Sequence, residues 1–147
     1  MVKSGVSVLR ALLSLLILVS FLFSSDFKTE QKIYGVIIHA LLPQKGAIKV
    51  WSDDKSKEKI LSFIVGVEFV SSPKEADFLL LSKGEKVQSK GLTFVTNFRL
   101  LEAEQNSVIG GFFWQKGRPN ILFLRKNLQK HHIKLPQSMQ EYIEDNL

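Results

Sequence analysis

The 147-residue chain contains no cysteine, which removes disulfide frameworks, thiol nucleophiles and a lipid-modified N-terminal cysteine. It has no Gly-x-Ser-x-Gly elbow, and its glycine pair Gly110–Gly111 does not lead into a helix as a phosphate loop requires. There are only three histidines. His39 lies inside an apolar stretch, and the neighbours His131 and His132 would point about 100° apart on a helix, which does not make a metal pair. No cofactor motif is present and none is expected, so the sequence points away from an enzyme. No Pro/Gly/Ser-rich linker, low-complexity tract or repeat divides the chain. Acid is missing locally: between Glu104 and Glu141 there is no carboxylate, while Lys116, Arg118, Arg125, Lys126, Lys130 and Lys134 all fall there. Such a block suits an acidic partner surface, an anionic small molecule or a phospholipid headgroup layer, or is a solvated basic face.

Residues 1–25 carry Lys3 and Arg10 ahead of an apolar run from Ala11 to Phe23 interrupted by Ser14 and Ser20. This is the layout of a secretory signal peptide. Cutting after Ser24 or Ser25 would leave Leu22 or Phe23 at the −3 position, so retention as an N-terminal membrane anchor is the alternative. The run of 13 residues is short against the roughly 20 that a spanning helix needs. Residues 26–147 then form one domain, exported to the periplasm or retained on the inner membrane. Nucleic acid is not expected as its partner. The net charge of +6 falls to +4 for this part, eighteen Lys and Arg minus fourteen Asp and Glu.

Hydrophobic periodicity predicts a helix over residues 29–42 with Ile33, Val36, Ile37, Ala40 and Leu41 on its inner face, ended by Pro43. Residues 47–51 read as a strand. The helix after it starts at Asp53 and Asp54, which suit the positive end of its dipole and also follow a strand, where open α/β sheets bind ligands. Residues 67–70 read as another strand, and Ser72, Pro73 and Glu75 as a capping box opening a brief turn. The continuous apolar run at 77–81 fits a strand buried on both faces. After a polar loop come a strand at 92–95 and a helix capped by Asn97 that contains Phe98 and Leu101. Strands at 108–114 and 120–124 flank a five-residue connection, followed by a short helix to Ile133 and a last one from Pro136 with Met139, Tyr142 and Ile143 inward. The expected fold is α/β: a single three-layer domain with a mixed, mainly parallel sheet, helices on both faces and a C-terminal antiparallel hairpin.

Within that hairpin, GGFFWQKGRPN gathers three glycines, two of them adjacent, with three aromatics and two cations. Alternation puts Phe112 and Trp114 on one face and Phe113 on the other, and the glycines mark a bulge or the close approach of a ring or ligand. Trp114, Lys116 and Arg118, with Arg125 beyond, are the candidate binding residues, through a cation–π pair or an anion-binding corner. The competing reading is a hairpin with Trp114 packed under its own loop and its cations in water.

The order of these elements, carried by KIYGVIIHALLP, ADFLLLS and VIGGFFWQKGRPNILFLRKNLQKHHIKLPQSMQEYI, resembles the YfiR-like periplasmic regulators of membrane diguanylate cyclases. The resemblance implies a non-catalytic domain that binds the periplasmic part of a membrane sensor or cyclase. The chain departs from the better-known members in lacking their disulfides, and no family binding residue transfers by position. The alternative is a small solute-binding domain, similar to one lobe of a periplasmic binding protein, with an anionic ligand at Trp114, Lys116 and Arg118.

Overall fold

The computed structural model describes residues 26–43 and 45–147; the signal-peptide or anchor reading of residues 1–25 lies outside them. The chain forms a seven-stranded mixed sheet in the order β2-β1-β3-β4-β5-β6-β7. Its strands are β1 (Ile48–Ser52), β2 (Val67–Phe69), β3 (Phe78–Leu81), β4 (Leu92–Val95), β5 (Gly110–Gln115), β6 (Arg118–Leu124) and β7 (Ile143–Glu144). The first five are parallel, β6 runs against β5, and β7 is parallel to β6. The α/β class with a late antiparallel hairpin is as the sequence predicts.

All four residues of β3 are buried, which forces cover on both sheet faces. On one face lie helix α1, residues 26–41, and helix α2 (Lys55–Ser62), whose Tyr34, Ile37, Ile38, Ile60 and Leu61 join Val50, Phe78, Leu80 and Phe94 in the main core. Each such buried side chain is worth about 1.5–3 kcal/mol. On the other face, helix α3 (Phe98–Ala103) sends Leu101 against Val95 and Val108. The polar loop before β4 lays Val87 near Trp51 and Leu79. Helix α4 (Arg125–Lys130) follows β6.

Several local expectations hold. Asp54 caps α2, accepting from Ser56 N at 2.9 Å, and Asn97 caps α3, accepting from Leu100 N at 2.9 Å. Others are corrected. The face of α1 on the sheet is Glu30, Tyr34, Ile37, Ile38 and Leu41, which turns Val36 outward with 54% of its surface exposed. Ser72 makes no capping bond to the 3-10 turn Pro73–Glu75. The last predicted helix is a 3-10 segment, Gln137–Tyr142, with Met139 buried but Tyr142 at the surface, because Ile143 is drawn into β7 beside Phe123. The hairpin loop is shorter than expected: Lys116 (φ 52°) and Gly117 (φ 73°) form a two-residue turn with both φ positive, the type I′ geometry that matches strand twist.

Gly110 decides how the hairpin joins the sheet. Phe94 on β4 and Phe123 on β6 both pair with it across the sheet, and their rings meet at 5.7 Å because Gly110 has no side chain to separate them. A Cβ there would stand 2.1 Å from the Leu122 carbonyl oxygen and 3.0 Å from the Phe94 ring, whereas at Gly111 the nearest atoms, of Val95, are 3.2 Å away. Gly110→Ala is therefore expected to cost about 3 kcal/mol or more, and Gly111→Ala about 1 kcal/mol. Equal shifts of the two variants in chemical denaturation would contradict this packing account.

Candidate functional site

Open α/β sheets bind ligands outside the carboxyl ends of their strands, where the strand order reverses. Here the chain leaves β1 toward β2 and returns to β3 on the other side, so the crevice lies above Ser52 and Leu81. Asp53 fills it. Its Oδ1 accepts from Ser82 N at 2.7 Å, and its Oδ2 from Lys83 N at 3.0 Å and Glu85 N at 3.2 Å. Successive backbone N–H groups of this kind form an anion-binding nest, and the anion is the chain's own carboxylate. The neighbouring groups are also engaged: Ser52 Oγ donates to the Leu80 carbonyl, Thr96 Oγ1 to Ser82 Oγ, and Asn97 Nδ2 to the Ser82 carbonyl. Burial pushes the Asp54 carboxyl up, but its bonds from Ser56, with Ser82 and the Lys57 charge, outweigh this and hold it below the ordinary carboxylate value.

The four residues singled out in the sequence divide among three places. Trp114 is partly exposed and lies over Phe112, with its Nε1 donating to Glu30 Oε1 at 2.9 Å. Glu30 is itself buried and accepts from Lys57 Nζ at 2.7 Å, which gives α1, α2 and the hairpin a common charged clasp. Beneath it, the Tyr34 phenol packs edge-on against Phe112 at 5.2 Å. Burial, with the charges of Glu30 and Asp54, raises its pKa well above the ordinary value, so it stays neutral. Lys116 sits in the turn, and Arg118 pairs with Gln115 on the face opposite Trp114, so no cation–π pair forms at the tip among the described residues. Arg125 stands at the far end of β6, where its Nε donates to Asp145.

The cations that converge come from elsewhere. At the amino ends of the parallel strands, a cleft of about 570 Å³ is lined by Lys45, Lys74, Lys90 and Lys134 with His131 and His132, over an apolar floor that includes Leu41, Leu92 and Ile133. Two carboxylates, Glu75 and Asp77, share this lining. Asp77 is already engaged by Lys45 Nζ and by Lys49 N. Burial raises its carboxyl, but these bonds and the two lysine charges outweigh that and hold it ionised. Close passage of the chain builds the cleft wall: a Cβ at Gly91 would be 2.4 Å from the Ala76 carbonyl oxygen, which keeps the loop carrying Lys90 against the turn carrying Lys74. Of the acid-free stretch, the sequence pointed to Lys134, but not to Lys45, Lys74 or Lys90. His131 and His132 line the same wall as the lysines, and among the described residues no three metal-ligating side chains converge.

No family model matches the chain, and no curated protein or solved structure matches it.

The plug at the crevice has a measurable strength. Asp53→Ala leaves three N–H groups without their acceptor and is expected to cost about 2–4 kcal/mol in urea unfolding. Asp53→Asn, which keeps one acceptor oxygen, should cost less. An unfolding midpoint unchanged in Asp53→Ala would mean that the carboxylate does not hold this loop.

Proposed function

We propose that the protein is an exported, non-catalytic binding domain that regulates a membrane signalling protein by holding an acidic stretch of that protein's extracytoplasmic part in the lysine-lined cleft. The observation that supports this most is the contrast between the two ends of the sheet. The end where α/β enzymes usually place substrate or cofactor is filled by Asp53, while the opposite end gathers four lysines, of which Lys45 is paired with Asp77, and two histidines around an apolar floor. Complementary charge of this kind speeds encounter and fixes register, and the apolar floor supplies burial.

In-cell crosslinking followed by affinity purification should recover a sensor kinase or a cyclase with the wild-type chain. The triple change Lys74→Glu, Lys90→Glu, Lys134→Glu should abolish that recovery, and Lys116→Glu with Arg118→Glu at the hairpin tip should preserve it. Recovery of envelope debris alone, or undiminished recovery with the triple variant, would sink the reading.

A second reading keeps the cleft and changes its occupant to a small organic anion, as in a solute-binding domain. Its support is size, since about 570 Å³ lies within the roughly 300–1,000 Å³ of small-molecule sites. Citrate, phosphate and dicarboxylates should then raise the melting temperature of the wild type and of Arg118→Ala, but not of the triple variant. A flat response to every anion in the wild type rules this occupant out.

A further inference from the structure

A second surface, on the outer side of α1, is built independently of whatever the cleft holds. Val36, Phe63 and Val65 are exposed by 54%, 58% and 88%, and they line one shallow apolar depression with Lys28, Lys32 and His39. This exposure is held in place. Gln31 Nε2 donates to the Phe63 carbonyl at 3.0 Å, and His39 Nε2 donates to the Val65 carbonyl at 2.8 Å. Two α1 side chains thus bind the backbone of the α2–β2 turn, whose Ile64 enters the core while Phe63 and Val65 stay exposed. Gly66, at φ 83°, closes the turn against the His39 ring. No acidic side chain lines the depression.

Three observations identify the occupant. The patch follows α1 from Lys28 to His39, about 17 Å at 1.5 Å per residue, and combines apolar residues with lysines four apart, the composition of a helix lying in a membrane interface. Its near end is Phe27, whose ring meets Phe63 at 5.9 Å. Phe27 lies only four positions after Phe23, the end of the apolar run Ala11–Phe23, a separation of at most about 14 Å. Where that run is retained as an anchor, the start of α1 and Phe63 stay beside the bilayer surface.

We propose that this face docks on an anionic phospholipid bilayer, with Phe63 and Val65 entering the interface, Val36 beside them, and Lys28 and Lys32 at the headgroups. Each lysine gains from the negative surface potential. A flat apolar patch without a partner is otherwise a liability for a monomer in water.

Because the chain has no native cysteine, a nitroxide on Val65→Cys reports this site alone, and one on Lys116→Cys serves as the reference. The full chain is mixed with vesicles of phosphatidylglycerol and phosphatidylcholine. The Val65→Cys label should become several-fold more accessible to oxygen and less accessible to an aqueous nickel complex, while the Lys116→Cys label stays aqueous. Adding Phe63→Asp should shift the Val65→Cys label back toward water by about tenfold or more in partitioning. Circular dichroism checks the fold, which a change at these exposed positions leaves intact. A Val65→Cys label as aqueous as the one on Lys116→Cys in the presence of vesicles overturns the proposal. So does protection that rises with protein concentration in the absence of vesicles, which would make the occupant a second copy.

Discussion

The carboxylate of Asp53 ties together the edge of the sheet that a parallel fold leaves open. Parallel strands end with their loops on one side, and the segment between β3 and β4, which has no helix of its own, must still cross from one strand to the next. Asp53 fixes its first turn through three backbone N–H groups. At the other end, Leu92 N donates to the Asp77 carbonyl at 2.8 Å. Pinned at both ends, the loop can place Val87 over Trp51 and Leu79, cover that a helix would normally supply. The adjacent acids thus divide the work: Asp54 starts α2, and Asp53 replaces the anion that such a nest would otherwise attract.

The opposite face is organised by a missing side chain and a buried charge. Gly110 lets β6 close on β5 and lets the Phe94 and Phe123 rings meet above it. One pleat further along β5, Phe112 packs against Tyr34, and then Trp114 reaches Glu30. Burying Glu30 would be costly alone, but Lys57 and the indole N–H share its two oxygens. Trp114 is therefore a structural partner of α1 with one edge in water, and the hairpin tip beyond it carries Lys116 and Arg118.

What could be read from the sequence follows from the range of the interactions. β3 and β4 were legible because a buried parallel strand is a short apolar run, and the Asn97 cap because its partner, Leu100 N, is three residues away. The rotation of α1 was not. Val36 is as apolar as Ile37, and only the clasp from Lys57 and Trp114 makes Glu30 an inner position and turns Val36 out. The bond from Asp53 to the loop spans about thirty residues, a separation of 29 to Ser82, and helix-start acids explain that dipeptide equally well on paper. The cleft was the least visible feature. Its lysines come from four separate segments, and the acid-free stretch that looks like one basic site splits between the hairpin tip, Arg125 beside Asp145, and Lys134.

The two proposed surfaces are related by α1. The apolar patch runs along its outer side to His39, and the cleft begins at Ala40, Leu41 and Pro43 where the helix ends. With that outer side against a bilayer, α1 lies along the surface and places the start of the cleft about 17 Å along it from Lys28. A partner embedded in the same membrane then meets the cleft at a fixed height. The search is confined to two dimensions, so a cleft of modest affinity can be occupied through effective concentration instead of through tight binding. Such an arrangement suits a cleft whose lysines, Lys45, Lys74, Lys90 and Lys134, come from four separate segments of the chain.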